Sequence, residues 1–427
     1  MGGKASIFLV LGFGMIILVI GLNYGNIANS SVQNEVDYYS STKAYNIAVS
    51  GAQVALNQLF LDIDWDAGYS NSSLDDGEFD ATVTKNGDMI TLTSIGEYND
   101  VSREVTVKLK PSSYAKFAWY IDNMSSKIFV DGDTVYGPFH SQSTLNIGGS
   151  PVFFGKVTTQ RGFSPDPSRW ASNGFDPEFY AGFSTGVDIP FTTTDYSAQK
   201  NVAQEGVDSY GGSSLFMNTD LWLNFNADGT VTYRTGSGSD TSSYSPPVTE
   251  ALTTFAPTGV IYLGKGNIYM QGTLSGQVSV VTGESSGLGQ GNVYAIGDIR
   301  YNEASMTYAG GNDYEPTAST DMLGIMTTNN FIIADVPANE HDVIIDASIF
   351  CNSGGVMAEN LNHVGDRGKL YITGGVVAAK EELIVRIEND GTFKGYRKHV
   401  VYDERFLLTG PPEFPLTESY EIVSWYE

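Results

Sequence analysis

Between Ala5 and Leu22 the chain reads ASIFLVLGFGMIILVIGL, eighteen residues without a charge. That run reaches the length a helix needs to cross a bilayer and exceeds the apolar core of a secretory signal, about 7–15 residues. A cleaved signal, a simple anchor and an assembly helix are the competing readings, and the residues that follow decide among them. The chain continues NYGNIANSSVQNEVDYYSSTKAYNIAVSGAQVALNQLFLDIDW, with no proline before Pro111 to force a break. Ala44, Ile47, Ala48, Gly51, Ala52, Ala55, Leu56, Leu59 and Phe60 recur at spacings of three and four, which lays one apolar stripe along a helix.

The spacing predicts a single helix from about Ala5 to Trp65, roughly 90 Å long at 1.5 Å per residue. It should stop near Asp66-Ala67-Gly68. Its first half, with Ile7, Phe8, Leu11, Met15 and Leu18, is apolar all round, and its second half is amphipathic. No Ala-x-Ala site follows Leu22, so the run is expected to stay attached. Lys4, the one charge ahead of it, favours a cytoplasmic N-terminus. Gly12, Gly14 and Gly21 weaken an isolated helix but allow close helix packing.

Beyond the helix, GEFDATVTKNGDMITLTSIGEYNDVSREVTVKLK reads as three strands, about 78–84, 89–96 and 101–109, with a hairpin at Asn86-Gly87. Val101, Val105, Val107 and Leu109 share one face of the last. From 113 onward short apolar runs alternate with Gly, as in GVIYLGKGNIYMQGTLSGQVSVVTG and GNVYAIGDIRY. Such runs suit the stacked rungs of a β-helix or, alternatively, a β-sandwich, and spacing alone does not separate the two. Residues 161–257 change texture and read as an excursion, with a hairpin in LWLNFNADGTVTYR and a mobile loop near 235–247. The fold class is therefore α+β. The segments are 1–24 (apolar half-helix), 25–66 (amphipathic half), 67–112 (antiparallel meander) and 113–427 (a mainly β, solenoid-like domain).

A helix that is apolar first and amphipathic second, carrying AYNIAVSGAQVALNQLF, resembles the assembly helix of type IV pilins and large minor pilins. SIGEYNDVSREVTVKL is similar to the strand that ends the meander in minor pilins. The resemblance implies cleavage by a prepilin peptidase after Gly3, leaving Lys4 as the mature N-terminus. Pilins usually carry Glu at the fifth mature position, where it offsets the terminal amine of a neighbouring subunit; here that position is Phe8, and no acid precedes Glu35. That departure resembles minor, tip-located pseudopilins. The C-terminal GYRKHVVYDERFLLTGPPEFPLTESYEIVSWYE looks like the end of an uncharacterised bacterial family of pilin-like envelope proteins. Tyr402, Asp403 and Arg405, then Pro411, Pro412 and Pro415, then Trp425, carry that likeness. By their chemistry, Asp403 and Arg405 should form an ion pair, and Val423, Trp425 and Tyr426 should cap the open end of the β domain.

The resemblance implies a structural subunit of a type IV pilus-like filament, in the inner membrane before assembly and on the cell surface afterwards. Its implied partners are copies of itself or other pilin-like subunits, the assembly machinery and the peptidase; its surface ligand is unknown. The alternatives are a monomeric anchored adhesin or glycan-binding protein and, further behind, a β-helix carbohydrate enzyme. The charge balance, 23 Lys and Arg against 49 Asp and Glu for a net −26, argues against nucleic acid, which needs clustered cations. Cys351 is the one cysteine, in an apolar setting that suits a buried thiol, and the four His residues stand at no metal-ligand spacing. Asp131 with Asp133, Asp342 with Asp346, and Glu381 with Glu382 are paired acids outside any recognised motif. VDGDTVYG lacks the later ligands of a calcium loop, so a solvated turn is expected there. No cofactor, metal or catalytic residue is expected.

Overall fold

The computed structural model describes residues 2–62, 64–86, 89–238, 241–284, 289–302, 319–388, 390–407 and 409–427. They form two compact units: Met1–Ser112 with Glu418–Glu427, and Ser113–Thr417.

The first unit is built on α1 (Gly2–Leu61), one helix of 60 residues. It ends at Leu61, a turn earlier than the periodicity suggests. Its C-terminal part lies on an antiparallel sheet of β1 (Tyr69–Leu74), β2 (Gly77–Asn86), β3 (Met89–Tyr98) and β4 (Val101–Ser113), with the closing strand Leu416–Tyr426 beside β4. The β2–β3 ladder runs to the Asn86–Met89 pair; Gly87 of the expected hairpin turn lies outside the described residues. β1 escapes a reading by alternation because YSNSSL has almost no apolar residue to mark a face.

The helix and sheet meet through alternation on one side and helical spacing on the other. Ile47, Ala48, Ala52, Ala55 and Leu59 pack against Phe79, Ala81, Ile90, Leu92, Val105, Val107 and Leu109, and Ala44 is buried beside them. Small residues bring the two backbones close. A Cβ on Gly96 of β3 would lie 2.3 Å from the Ala48 amide nitrogen and 2.4 Å from the Ala44 carbonyl oxygen. A Cβ on Gly51 would lie 2.5 Å from a Phe79 ring carbon.

The second unit stacks short strands side by side. Trp119–Asn123, Phe139–Ser141, Val157–Thr159 and Phe183–Thr185 pair in parallel, each with the next. A second parallel run passes from Leu215–Met217 through Val260–Gly264, Gln277–Glu284, Met322–Thr327 and Val343–Cys351 to Asp366–Lys380. The two runs meet where Asp366–Lys380 pairs with Trp119–Asn123. The result is an unbroken ladder: Ile261, Val280, Ile325, Ile349, Val376, Trp119, Phe139 and Val157 are successive partners in register, and all are buried. Among the described pairings of this unit, antiparallel pairs occur only in Asp220–Phe225 with Thr230–Gly236, the latter with Val248–Ala251, and Val385–Ile387 with Phe393–Tyr402.

The first of those antiparallel pairs is the hairpin read from LWLNFNADGTVTYR. The rest of 161–257 departs less from its surroundings than its texture suggests. Glu178–Phe179, Phe183–Thr185, Leu215–Met217 and Asp220–Phe225 all join the parallel stack. Runs of two or three apolar residues are too short to show a period, yet long enough to pair with a neighbouring rung.

The Gly96 contact is with backbone, which has little freedom to move aside. Gly96→Val should therefore destabilise the first unit by about 3 kcal/mol, read as a lower unfolding midpoint of the detergent-solubilised chain.

Candidate assembly helix

α1 presents two different surfaces. Every large apolar side chain described from Ile7 to Tyr39 is exposed, including Phe8 at 75% and Met15 at 68%, with Ile7, Leu11 and Leu18. From Ala44 onward most of the stripe is buried, with Ala44, Ala48, Ala52 and Ala55 all at 0%, but Leu56 is only partly buried and Phe60 stays 74% exposed. The helix is long and apolar enough near the N-terminus to cross a membrane. A Cβ on Gly12, Gly14, Gly21 or Gly25 would meet nothing within 4 Å, so these glycines serve no contact within the subunit. They leave the helix backbone bare for a close neighbour.

The predicted residues thus fall into two groups: Ile7, Phe8, Leu11, Met15 and Leu18 face outward, and Ala44, Ile47, Ala48, Gly51, Ala52, Ala55 and Leu59 hold the helix to its sheet. Gly3 and Lys4 lie in the first helical turn. Where the helix ends, Leu56, Leu59, Phe60, Leu109, Tyr420 and Ile422 line an apolar cavity of about 270 Å³. Leu56 is partly buried there, while Val54 on the opposite flank stays 42% exposed.

The C-terminal residues separate. Asp403 is wholly buried and binds Arg405 through three side-chain contacts, Nε to Oδ1 at 2.9 Å and to Oδ2 at 3.1 Å, and Nη2 to Oδ2 at 2.6 Å. The Arg405 guanidinium also donates to the Ser319 carbonyl and lies 5.3 Å from the Tyr301 ring centre. The ion pair therefore has the geometry its chemistry implied. Tyr402 and Pro411 are buried in the same unit, the Pro412 carbonyl accepts from Ser279 Oγ, and the Pro415 carbonyl accepts from the Tyr114 amide at 3.2 Å. Trp425 corrects an expectation. It belongs to the first unit and not to the stacked strands: it lies on the closing strand and packs against the α1 cluster. TESYEIVSWY alternates well enough to be a strand, but alternation does not name the sheet a strand will join.

The paired acids do not act as pairs. Burial divides each pair: Asp131 and Asp342 are exposed and Glu382 half-buried, whereas Asp133, Asp346 and Glu381 are buried. Burial raises the Asp346 carboxyl to about 6, and its Oδ2 accepts from the Tyr301 amide at 3.0 Å. The turn VDGDTVYG is not simply solvated, because Asp133 is enclosed at its centre. Cys351 is buried, and burial pushes its thiol up to about 11, which leaves it a poor nucleophile.

No family model matches the chain, and no curated protein matches it. Among solved structures it is similar to the crystal structure of the competence-associated pilin ComZ from Thermus thermophilus. That likeness has 12% sequence identity and covers 91% of this chain and 97% of the other, at a TM-score of 0.37. A superposition at that level is too weak to carry a functional argument.

Removing Arg405 would strand a buried carboxylate. Arg405→Ala should cost about 3 kcal/mol of stability, measured by chemical unfolding. Arg405→Lys should recover only part of that, because an ammonium does not reproduce the forked contact.

Proposed function

We propose that the chain is a structural subunit of a type IV pilus-like surface filament. The observation that carries this reading is the division of α1: its C-terminal part is held by the subunit's own sheet, and its apolar N-terminal part has no cover within the subunit. Exposed apolar surface of that extent needs lipid or another helix. Before assembly the helix sits in the inner membrane. Afterwards it packs among the helices of copies of this chain or of other pilin-like subunits, with Gly12, Gly14 and Gly21 admitting close neighbours. The function is a change of surroundings and needs no chemistry on a substrate. Phe8, where pilins place Glu, favours a minor subunit over the bulk one. We read the second unit as a β-solenoid displayed outward, a reading that its in-register parallel ladders support over a sandwich of antiparallel sheets.

Two measurements test the proposal. In material sheared from cells, the N-terminal peptide should begin at Lys4, as left by a prepilin peptidase. An intact Met1 found only in membranes would instead favour an anchored monomer. Val54→Asp adds a charge at an exposed position outside the packed stripe. It should leave the subunit folded and membrane-inserted while abolishing filaments seen by electron microscopy. Filaments formed by this variant would overturn the helix-core assembly.

A further inference from the structure

The second unit contains a seam. Along most of the stack each strand pairs with one that follows soon after it in the chain, so turns of backbone tie the rungs together. Where Asp366–Lys380 meets Trp119–Asn123, and Phe393–Tyr402 meets Thr134–Tyr136, the partners are far apart in sequence. At that seam the structure encloses three charged side chains: Asp133 at 1%, Glu381 at 3% and Lys398 at 2% exposure.

Their arrangement is asymmetric. Lys398 Nζ lies 2.9 Å from Glu381 Oε1 and 3.8 Å from Asp133 Oδ2. The other Glu381 oxygen accepts from Trp119 Nε1 at 3.1 Å. Asp133 is fixed by backbone: Oδ1 accepts from the Lys398 amide at 2.8 Å and Oδ2 from the Val130 amide at 3.0 Å. The walls are aromatic, with Nζ 4.3 Å from the Phe129 ring centre and 5.7 Å from that of Trp119. Two carboxylates and one ammonium would leave an uncompensated negative charge in this enclosure, which is costly, so one carboxyl takes up a proton. Burial raises the pKa of both Asp133 and Glu381. For Lys398, burial opposes the charge and the attraction of Glu381 and Asp133 outweighs it.

We propose that Lys398 and Asp133 join in an intramolecular amide bond, with Glu381 carrying the protons. The reaction starts from protonated Asp133, ammonium Lys398 and carboxylate Glu381. Glu381 takes one proton from Lys398 across the 2.9 Å contact, leaving a neutral amine. The amine lone pair attacks Asp133 Cγ and forms the C–N bond, while the Lys398 amide N–H holds the developing charge on Oδ1. The bond from Cγ to Oδ2 breaks. Glu381 hands its proton to Oδ2, which departs as water with the hydrogen it already carried, and receives the second amine proton in return. The products are an amide, one water and neutral Glu381, with no oxidation or reduction. Fixed geometry in a dry site replaces the activation that amide formation otherwise needs. Asp133 is the acceptor because two backbone N–H groups polarise its carboxyl, whereas Glu381 bridges Lys398 and the Trp119 indole as a proton carrier would. The bond would close a loop between positions 265 residues apart, at the one place where these two parts of the stack lack a short backbone link.

The test is peptide mass spectrometry of the full chain extracted from membranes or filaments. Trypsin should yield segment 128–156 joined to segment 398–405, lighter than their sum by one water, with fragmentation placing the link between Asp133 and Lys398. Glu381→Gln keeps the shape but carries no proton in this range, and it should release segment 128–156 unlinked at full mass together with segment 399–405, because trypsin cleaves after a free Lys398. Separate segments from the wild-type chain would overturn the proposal. So would a link from Lys398 into segment 381–386, and a bond retained in Glu381→Gln would overturn the role of Glu381.

Discussion

A helix that is apolar on every side must be covered by something, and this requirement organises the first unit. Water exacts a cost for each exposed Leu, Ile or Phe of about 1.5–3 kcal/mol relative to burial. The N-terminal part of α1 exposes nearly twenty such side chains and aromatic neighbours. The subunit covers only the C-terminal part, and does so with the smallest available residues. Ala44, Ala48, Gly51, Ala52 and Ala55 let the sheet approach the helix backbone, and Gly96 answers from β3. The sheet thereby fixes one end of a long lever while the other remains free for lipid or helices.

What could be read from the sequence follows from the strength of each pattern. The α1 stripe repeats over several turns from Ala44, so its buried face is legible, whereas the amphipathic half read from residue 25 begins to bury side chains only at Ser40. Val105, Val107 and Leu109 alternate cleanly and are buried as a set. β1 and the two-residue rungs of 161–187 carry too few apolar residues to show a period. The closing strand illustrates a different limit: its alternation is clear, but its place beside β4 depends on how the whole intervening chain folds. Local pattern fixes a strand; only tertiary packing fixes its partner.

The seam was partly legible. Tyr396, Lys398, Val400 and Tyr402 occupy alternate positions of one strand, and all four are buried. Period two alone therefore puts the Lys398 ammonium on the inward face, where a lysine is rarely found without a partner. What the sequence hides is which acids meet it. Adjacent acids invite pairing by proximity, yet Asp131–Asp133 and Glu381–Glu382 each split across the strand or turn that carries them. The true neighbours, Asp133 and Glu381, come together because the first strands of the unit dock against its last ones.

That docking explains why charge is tolerated in an otherwise apolar stack. The ladder from Ile261 to Val157 is hydrophobic and repetitive, and a repetitive apolar ladder is satisfied nearly as well by a neighbouring register. Short backbone turns remove the ambiguity along each run, but no short turn spans the seam. Before the amide closes, three buried ionisable side chains do what apolar contacts cannot. If the strands slipped by one residue, period two would turn Lys398 outward and leave Asp133 and Glu381 enclosed without a cation, at a cost of several kcal/mol. The ionic cluster therefore selects the register of Thr134–Tyr136 against Phe393–Tyr402 among alternatives that hydrophobic burial alone would scarcely distinguish.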